Sequence, residues 1–257
     1  MEQTQRPLPK PIHTPVKRQY EPFRLRHFSL HQQVNAMKVG TDGLALGALA
    51  STDHPSPRIL DIGSGTSLVT LMLAQKYPQA EVVGIEFNPD AAEEGCKNVL
   101  ESSFSSRVEI VSDNFILHDF PHKFDLIVSN PPYYPVTEDT PLSDRAVARN
   151  LLTLTPETIC AKSTRLLTPT GRLTLIMPIT PDHIFFRSAE AHELYPSEVI
   201  YLIPTPSKPP IRVIATFSRF MISTCSVKYL TIEVSRHHYS PEYKAILTPF
   251  LLPEFLR

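Results

Sequence analysis

Residues 58–76, RILDIGSGTSLVTLMLAQK, contain the pattern that decides the fold. A short apolar run is followed by the turn Gly63-Ser64-Gly65, and apolar residues then recur at helical spacing. Glycines between a strand and a helix let the backbone adopt positive φ and approach a ligand closely. The segment therefore predicts a strand over 58–62, a helix over 68–76 and a binding site at the turn between them.

The same alternation of strand and helix continues downstream. Strands separated by helices of this length indicate an α/β fold with a doubly wound, mostly parallel sheet. Two late strands without a helix between them predict an antiparallel hairpin at one edge. The predicted strands are 81–86, 107–111, 124–129, 171–177, 198–203 and 212–217, and the predicted helices are 89–101, 156–167 and 181–194.

The two ends of the chain differ from this pattern. Residues 1–21 are basic and rich in proline without apolar periodicity, so we expect a mostly disordered arm. Residues 23–30 alternate apolar and polar, as in a half-exposed strand. We expect a single domain over 22–257 that ends with a strand-like segment at 229–234 and a helix starting near Pro241.

Composition excludes several classes of protein. The net charge of −1 provides no global polycation, so any contact with nucleic acid must come from a local patch. The cysteines form no metal pattern and indicate a cytoplasmic chain without disulfides. No apolar run reaches the roughly 18–20 residues that cross a bilayer. We therefore expect a cytoplasmic protein that uses neither a metal nor a membrane. The three cysteines are Cys96, Cys160 and Cys225.

Acidic residues stand at the ends of three predicted strands. Asp61 lies two residues before the glycine turn, and its carboxylate would repel a pyrophosphate. Leu68 stands where a dinucleotide-binding motif has its third glycine. Glu86, at the end of the next strand, is placed to accept hydrogen bonds from ribose hydroxyls, and Asp113 could accept from an adenine amino group. The alternatives are an ordinary exposed carboxylate for Glu86 and a helix cap for Asp113.

Asn130-Pro131-Pro132-Tyr133 directly follows the strand predicted over 124–129. Two prolines remove two backbone donors, so the strand ladder cannot continue and the loop carbonyls turn outward. The carbonyl oxygens of Asn130 and Pro131 could accept hydrogen bonds from an NH₂ group, and Tyr133 could stack on the ring that carries it. The tetrapeptide thus predicts a site for a planar amine, and the alternative is a rigid turn.

The order of these motifs resembles class I S-adenosylmethionine-dependent methyltransferases that act on amines, which have a Rossmann-like sheet. The string Ala36-Met37-Lys38-Val39-Gly40-Thr41-Asp42-Gly43, together with FDLIVSNPPY at 124–133, narrows the resemblance. It is similar to the bacterial tRNA(Val) adenine-37 N6-methyltransferase family over roughly residues 23–250. This resemblance implies N6-methylation of adenine 37 in tRNA(Val), with S-adenosylmethionine as the cofactor and tRNA as the partner.

The resemblance also assigns roles to residues. It implies a cofactor site in which Thr41 and Asp42 lie near the methionine end, and a catalytic loop that holds the base. Basic residues near these loops could contact RNA phosphates, although each could equally be a solvated surface charge. The cofactor residues are Thr41, Asp42, Asp61, Gly63, Gly65, Glu86 and Asp113; the catalytic residues are Asn130, Pro131, Pro132 and Tyr133; the candidate RNA contacts are Lys38, Arg145, Arg149, Lys208 and Arg212.

Other functions stay open at this point. The NPPY motif also serves enzymes that methylate guanine N2 in rRNA, adenine in DNA or glutamine side chains of proteins, and the AMKVGTDG string is what favours tRNA. Ser67 stands where the family commonly has a third glycine, which leaves open a non-catalytic RNA-binding module with this fold. A nucleotide-dependent dehydrogenase is a third alternative, against which the missing glycine at Leu68 counts.

Overall fold

The computed structural model describes residues 21–33, 38–131 and 154–256, and the predicted arm at 1–21 lies outside them except for its last residue. No helix in these ranges is long and apolar enough to cross a membrane. The helices are α1 (Thr41–Leu49), α2 (Leu68–Lys76), α3 (Pro89–Leu100), α4 (Pro156–Leu166), α5 (Ile184–Ala191) and α6 (Pro241–Leu247), followed by a 3₁₀ turn at Pro253–Phe255. The strands are β1 (Phe23–Arg24), β2 (Ser29–Leu30), β3 (Arg58–Ile62), β4 (Glu81–Glu86), β5 (Val108–Ser112), β6 (Phe124–Ser129), β7 (Leu167–Pro178), β8 (Tyr195–Ile203), β9 (Arg212–Ser218), β10 (Ser226–Thr231), β11 (Glu233–Ser235) and β12 (His238–Tyr239).

Within the described residues, eight strands form one central sheet in the order β10-β8-β9-β7-β6-β3-β4-β5. Strands β3 to β7 pair in parallel, which confirms the doubly wound α/β class. Strands β8 and β9 form the predicted antiparallel hairpin, with β9 placed between β7 and β8. Strand β10 pairs in parallel with β8 and extends the sheet one strand beyond the hairpin.

Apolar side chains cover both faces of the sheet. In β3, Ile59 belongs to one buried cluster, while Leu60 and Ile62 belong to the other. Side chains alternate between faces along a strand, so a strand that is covered on both sides must be apolar nearly throughout. Helices α1, α2, α3 and α6 contribute to the first cluster, and α4 and α5 contribute to the second.

The segment at 23–30 is a correction to the sequence prediction. It forms two short strands, β1 and β2, that pair with each other instead of one continuous strand. The chain reverses between them, where the Leu25 N–H donates to the Phe28 carbonyl at 2.8 Å. Both side chains are buried in the core. Only residues 23–24 and 29–30 are strand, and the prediction missed the turn between them because that turn contains no glycine or proline.

Several further elements differ from the prediction, among them β7 and β8, which begin earlier than predicted, at Leu167 and Tyr195. Helix α5 starts at Ile184 because His183 has a left-handed backbone with φ of 48°, which a continuous helix does not allow. The predicted strand 229–234 is divided between β10 and β11. Helix α1 was not predicted, because its sequence TDGLALGAL is buried nearly all round and shows no amphipathic period.

Candidate active site

The carboxyl ends of β6, β3, β4 and β5 lie side by side along one edge of the sheet. Consequently Asn130, Gly63, Glu86 and Asp113, which end or follow these strands, form a row along that edge. The chain proceeds from β3 outward to β4 and β5, then returns to place β6 on the other side of β3. Such a reversal of strand order opens the crevice in which α/β sheets bind ligands.

The glycine turn has the backbone that its sequence predicts. Gly63 and Gly65 have φ of 74° and 52°, in the left-handed region that favours glycine. A Cβ added at Gly63 would find its nearest neighbour, a methyl group of Leu154, at 3.8 Å. The exposed side of the turn is therefore open enough for a ligand to approach the backbone.

Glu86 ties this turn to the end of β4. One carboxylate oxygen accepts a hydrogen bond from the Gly65 N–H at 2.9 Å, and the other accepts from the Asn88 N–H at 2.9 Å. A carboxylate offers about four acceptor positions, so these two bonds leave capacity for ribose hydroxyls. The half-buried carboxylate is thus both fixed in position and able to accept further hydrogen bonds.

Asp113 is fixed in a similar way at the end of β5. Its carboxylate accepts from the Asn114 N–H at 2.7 Å and contacts Nδ1 of His118 at 2.9 Å. The His118 hydrogen bond is the largest of the effects that hold the pKa of Asp113 below its usual value. The segment after Asp113 is a turn, so the alternative role as a helix cap is not observed. His118 gave no signal in the sequence.

Asp61 has a different environment from the other two acids. Its side chain is 2% exposed, and it accepts a hydrogen bond of 2.6 Å from the Thr70 hydroxyl in α2. Burial raises the pKa of Asp61 to about 7, although the Thr70 hydrogen bond opposes this shift. Asp61 therefore joins β3 to α2 behind the glycine turn, and its direct contact with the cofactor stays a prediction.

Ser67, in the position of the missing glycine, has the left-handed φ of 66° that a glycine would adopt freely. Its side chain is fully buried, and its hydroxyl finds no hydrogen-bond partner among the described residues. A Cβ on Gly95 of α3 would lie 2.7 Å from both Ser67 Oγ and the Gly65 carbonyl oxygen. The serine fits at this position because residue 95 has no side chain.

Two residues with different predicted ligands are brought together at the start of α1. Oδ2 of Asp42, a predicted cofactor residue, lies 2.9 Å from Nε of Arg212, a candidate RNA contact. Both side chains are about half-buried, and the Tyr243 hydroxyl donates to the Thr41 carbonyl at 3.4 Å beside them. Lys208 is exposed in the loop that follows β8. Arg212 thus pairs with Asp42 at the start of α1, a contact that the sequence did not reveal.

Asn130 is half-buried and Pro131 is buried at the start of the predicted catalytic loop. The Ser129 hydroxyl donates to the Ile62 carbonyl at 2.8 Å, which fixes the end of β6 against β3. Asn130, the next residue along the chain, consequently lies next to the glycine turn that follows β3. The predicted residues Ala36, Met37, Pro132, Tyr133, Arg145 and Arg149 lie outside the described residues.

Asn98 is a structural residue of the site that sequence reasoning missed. It is fully buried in α3, and its amide donates to the carbonyls of His31 (3.1 Å) and Thr66 (3.0 Å). Its oxygen accepts from the His31 N–H at 2.8 Å. The signal was present, because Asn98 shares the buried face of α3 with Ala91 and Gly95. A polar residue on an apolar helix face predicts a buried hydrogen-bond network.

Comparison with known proteins agrees with this geometry. The family described as methyltransferase small domain matches residues 37–180. A Bacteroides fragilis protein named tRNA1(Val) (adenine(37)-N6)-methyltransferase is 39% identical over 233 residues, which cover 90% of this chain and 97% of that protein. A Porphyromonas gingivalis protein of the same name is 36% identical over 245 residues, which cover 91% and 96%.

The fold also has relatives among solved structures. A predicted O-methyltransferase from Agrobacterium tumefaciens superposes with a TM-score of 0.60 and 18% sequence identity. The superposition covers 81% of this chain and 96% of that chain. This likeness supports the assignment of the sheet to the class I methyltransferase fold. The family itself is shown by the relatives in sequence.

Proposed function

The chain belongs to the methyltransferase small domain family and, within it, to the tRNA1(Val) (adenine(37)-N6)-methyltransferases, and from this premise we propose that it methylates N6 of adenine 37 in tRNA(Val). It is a class I methyltransferase that uses S-adenosylmethionine. The observation that carries the choice of an amine substrate is the position of Asn130, at the end of β6 and next to the glycine turn.

The residues at the edge of the sheet fit the cofactor. The turn at Gly63 is open, Glu86 keeps free acceptor positions, and the side chain of Asp113 is 47% exposed. Glu86 would hold the ribose hydroxyls and Asp113 the adenine amino group, while Thr41 and Asp42 would lie towards the methionine end. When bound, S-adenosylmethionine supplies a methyl group activated by a positively charged sulfur.

The chain's contribution to the chemistry is to orient a weak nucleophile. The lone pair of an aromatic amine is delocalised into the ring, so the amine attacks poorly by itself. The Asn130 side-chain oxygen and the Pro131 carbonyl would accept hydrogen bonds from the two N–H groups, which favours a pyramidal nitrogen and directs its lone pair. The spare proton can leave to water after transfer, so these residues need no strong base. An adenine in a stack could not reach this edge and would have to be splayed out of its loop.

The catalytic assignment is tested with Asn130→Ala. We expect kcat on tRNA to fall by about 10²–10³-fold, as for the loss of other oriented polar groups, with cofactor affinity nearly unchanged. Transfer of labelled methyl to tRNA measures the first quantity, and calorimetry measures the second. Gln75→Ala, which removes an amide that bonds to the Pro249 carbonyl away from the crevice, is the matched control. Wild-type turnover in Asn130→Ala would overturn the assigned role.

The substrate is tested with labelled cofactor and total tRNA from a strain that lacks this enzyme. Label in N6-methyladenosine alone is the expected result, and sequencing of the labelled tRNA identifies the position. Label in N2-methylguanosine would show that the substrate is a guanine instead. Label in protein glutamine, when a lysate is supplied, would show that the substrate is a protein. Absence of all transfer by a folded protein that binds RNA would favour the non-catalytic alternative. A tRNA substrate would also agree with the predicted cytoplasmic location.

A further inference from the structure

Two tyrosines form an open aromatic stack at one end of the sheet. Tyr201 in β8 and Tyr229 in β10 are register partners on parallel strands. Their ring centroids are 5.2 Å apart and their planes differ by 18°, so the rings stack across the strands. Tyr201 packs against the core, whereas Tyr229 is 66% exposed. Because β10 is the last described strand on this side, the stack ends at an exposed ring.

This stack lies on the same edge of the sheet as the candidate active site. Strands β8 and β10 run in the same direction as β6 and β7, and both tyrosines are two residues from their carboxyl ends. From β6, which carries Asn130, to β10 there are four strand spacings, or about 19 Å at ~4.8 Å each. A few nucleotides of a single-stranded loop span that length. The stacked pair belongs to a register row formed by Met177, Val213, Tyr201 and Tyr229.

Exposed apolar residues connect the two places. Ile179 follows β7 and Ile211 precedes β9, and they are 37% and 47% exposed. They are neighbours, since the Ile179 N–H donates to the Ile211 carbonyl at 3.4 Å. Each is two residues from a member of the register row, so strand alternation places it on the same face as the tyrosines. An apolar strip, defined by Ile179, Ile211, Tyr201 and Tyr229, therefore runs from β7, the neighbour of β6, to the outermost described strand, β10.

We propose that Tyr229, supported by Tyr201, stacks on an unpaired base of the substrate RNA a few nucleotides from the target adenine. This inference rests on the proposed function. An adenine that is splayed into the active site loses its stacking neighbours, and proteins commonly replace such stacking with aromatic side chains on an exposed sheet. A base placed on Tyr229 would continue the existing stack as a third ring. Exposed Lys208, in the loop after β8, lies at the same edge and could meet a phosphate of the same strand.

The experiment compares Tyr229→Ala, Tyr229→Leu and Tyr229→Phe in the full-length protein with a transcript of tRNA(Val). Leucine keeps apolar area without an aromatic face, and phenylalanine keeps the face without the hydroxyl. We expect the alanine and leucine variants to bind the transcript roughly 5- to 150-fold more weakly, and the phenylalanine variant to bind like the wild type. Leu100→Ala is the matched control, since Leu100 is 71% exposed on α3 at another part of the surface.

Two further readouts separate a stacked base from other roles. The slope of log affinity against log salt concentration should stay unchanged in all Tyr229 variants, because no phosphate contact is removed. Cofactor affinity from calorimetry should also stay unchanged. Circular dichroism and thermal melting verify that each variant is folded.

Three results would overturn the proposal in distinguishable ways. If wild-type protein transfers no methyl group to tRNA, the proposed function fails and the inference fails with it. If the wild type is active but Tyr229→Ala and Tyr229→Leu bind RNA normally, only the inference fails. If these variants instead change the molar mass in sedimentation with RNA affinity intact, the strip is an interface with a second copy of the chain.

Discussion

At the scale of single residues, the row of acids at the sheet edge shows how environment assigns different tasks to one chemical group. Glu86 and Asp113 are held by N–H groups and by His118, which keeps them in place while leaving acceptor positions open. Asp61 is buried against Thr70. The first two can exchange hydrogen bonds with a ligand, while the third supports the turn from behind.

Asp61→Asn tests this division through the pH dependence of stability. Burial raises the folded-state pKa of Asp61 from its ordinary value of 3.8 to about 7, so the folded protein holds this proton more tightly than the unfolded chain. That stabilisation is fully present below about pH 4 and is lost as pH rises through about 7. Asparagine keeps an acceptor for Thr70 and cannot ionise. Between pH 5 and pH 8 we expect the variant to gain on the order of 3 kcal/mol relative to the wild type.

Urea denaturation at several pH values measures this difference directly. Asp125→Asn is a suitable control, because Asp125 is a half-buried carboxylate at the other end of the sheet that bonds to the Arg58 N–H. Parallel stability profiles for the wild type and Asp61→Asn would show that Asp61 is ionised throughout, as a residue in contact with a cation would be.

At the scale of elements, the segments that carry strong local signals were predicted best. Helix α2 and strands β4 and β6 have the predicted bounds, because an apolar run and a glycine, proline or polar residue at its end specify each of them. The order of acids at strand ends follows from the same pattern. A parallel sheet brings its carboxyl ends to one edge, so the row of Glu86, Asp113 and Asn130 could be predicted as well.

What could not be predicted depends on contacts between distant residues. The position of β10 outside β8 is a pairing choice that no local pattern encodes. The Arg212–Asp42 pair joins residues 170 positions apart. Gly95 leaves room for the Ser67 side chain, and this fit depends on how α3 packs on the glycine turn. Each of these features follows from tertiary packing rather than from the period of a segment.

Arg212→Ala tests whether the Asp42–Arg212 pair positions α1 for the cofactor. Since the pair is only about 30% exposed, its loss should free Asp42 and weaken cofactor binding by about 3- to 10-fold, a cost typical of a partly buried ion pair. The salt dependence of tRNA binding should not change. Arg58→Ala, which removes the exposed Arg58–Glu81 pair at the opposite ends of β3 and β4, is the matched control.

The opposite result would restore the first interpretation of Arg212. If the cofactor affinity of Arg212→Ala is normal and the slope of log affinity for tRNA against log salt falls by about 1, then Arg212 contacts a phosphate. Calorimetry with S-adenosylmethionine and binding titrations at several salt concentrations distinguish the two roles.

At the scale of the whole molecule, the N-terminal segment of the described chain is joined both to the C-terminal segment and to the glycine turn. Arg26 donates through Nε to the carbonyls of Thr248 and Leu251, which joins the first hairpin to the segment after α6. Asn98 joins the segment after that hairpin to the glycine turn, because it binds both His31 and Thr66. One buried amide therefore joins this segment to the predicted cofactor turn, and we expect it to couple stability to cofactor binding.

Asn98→Ala should reveal this coupling. It leaves the His31 N–H and the carbonyls of His31 and Thr66 without their partner, at a cost of about 3 kcal/mol in unfolding free energy. Because Thr66 belongs to the cofactor turn, we also expect cofactor affinity to fall by several-fold. Asn88→Ala is a matched control at the N-cap of the same helix. The exposed Asn88 side chain accepts from the Asp90 and Ala91 N–H groups and bridges no other described segment, so its loss should cost about 1 kcal/mol. Urea denaturation and calorimetry measure the two effects, and equal losses for both variants would mean that Asn98 supports only its own helix.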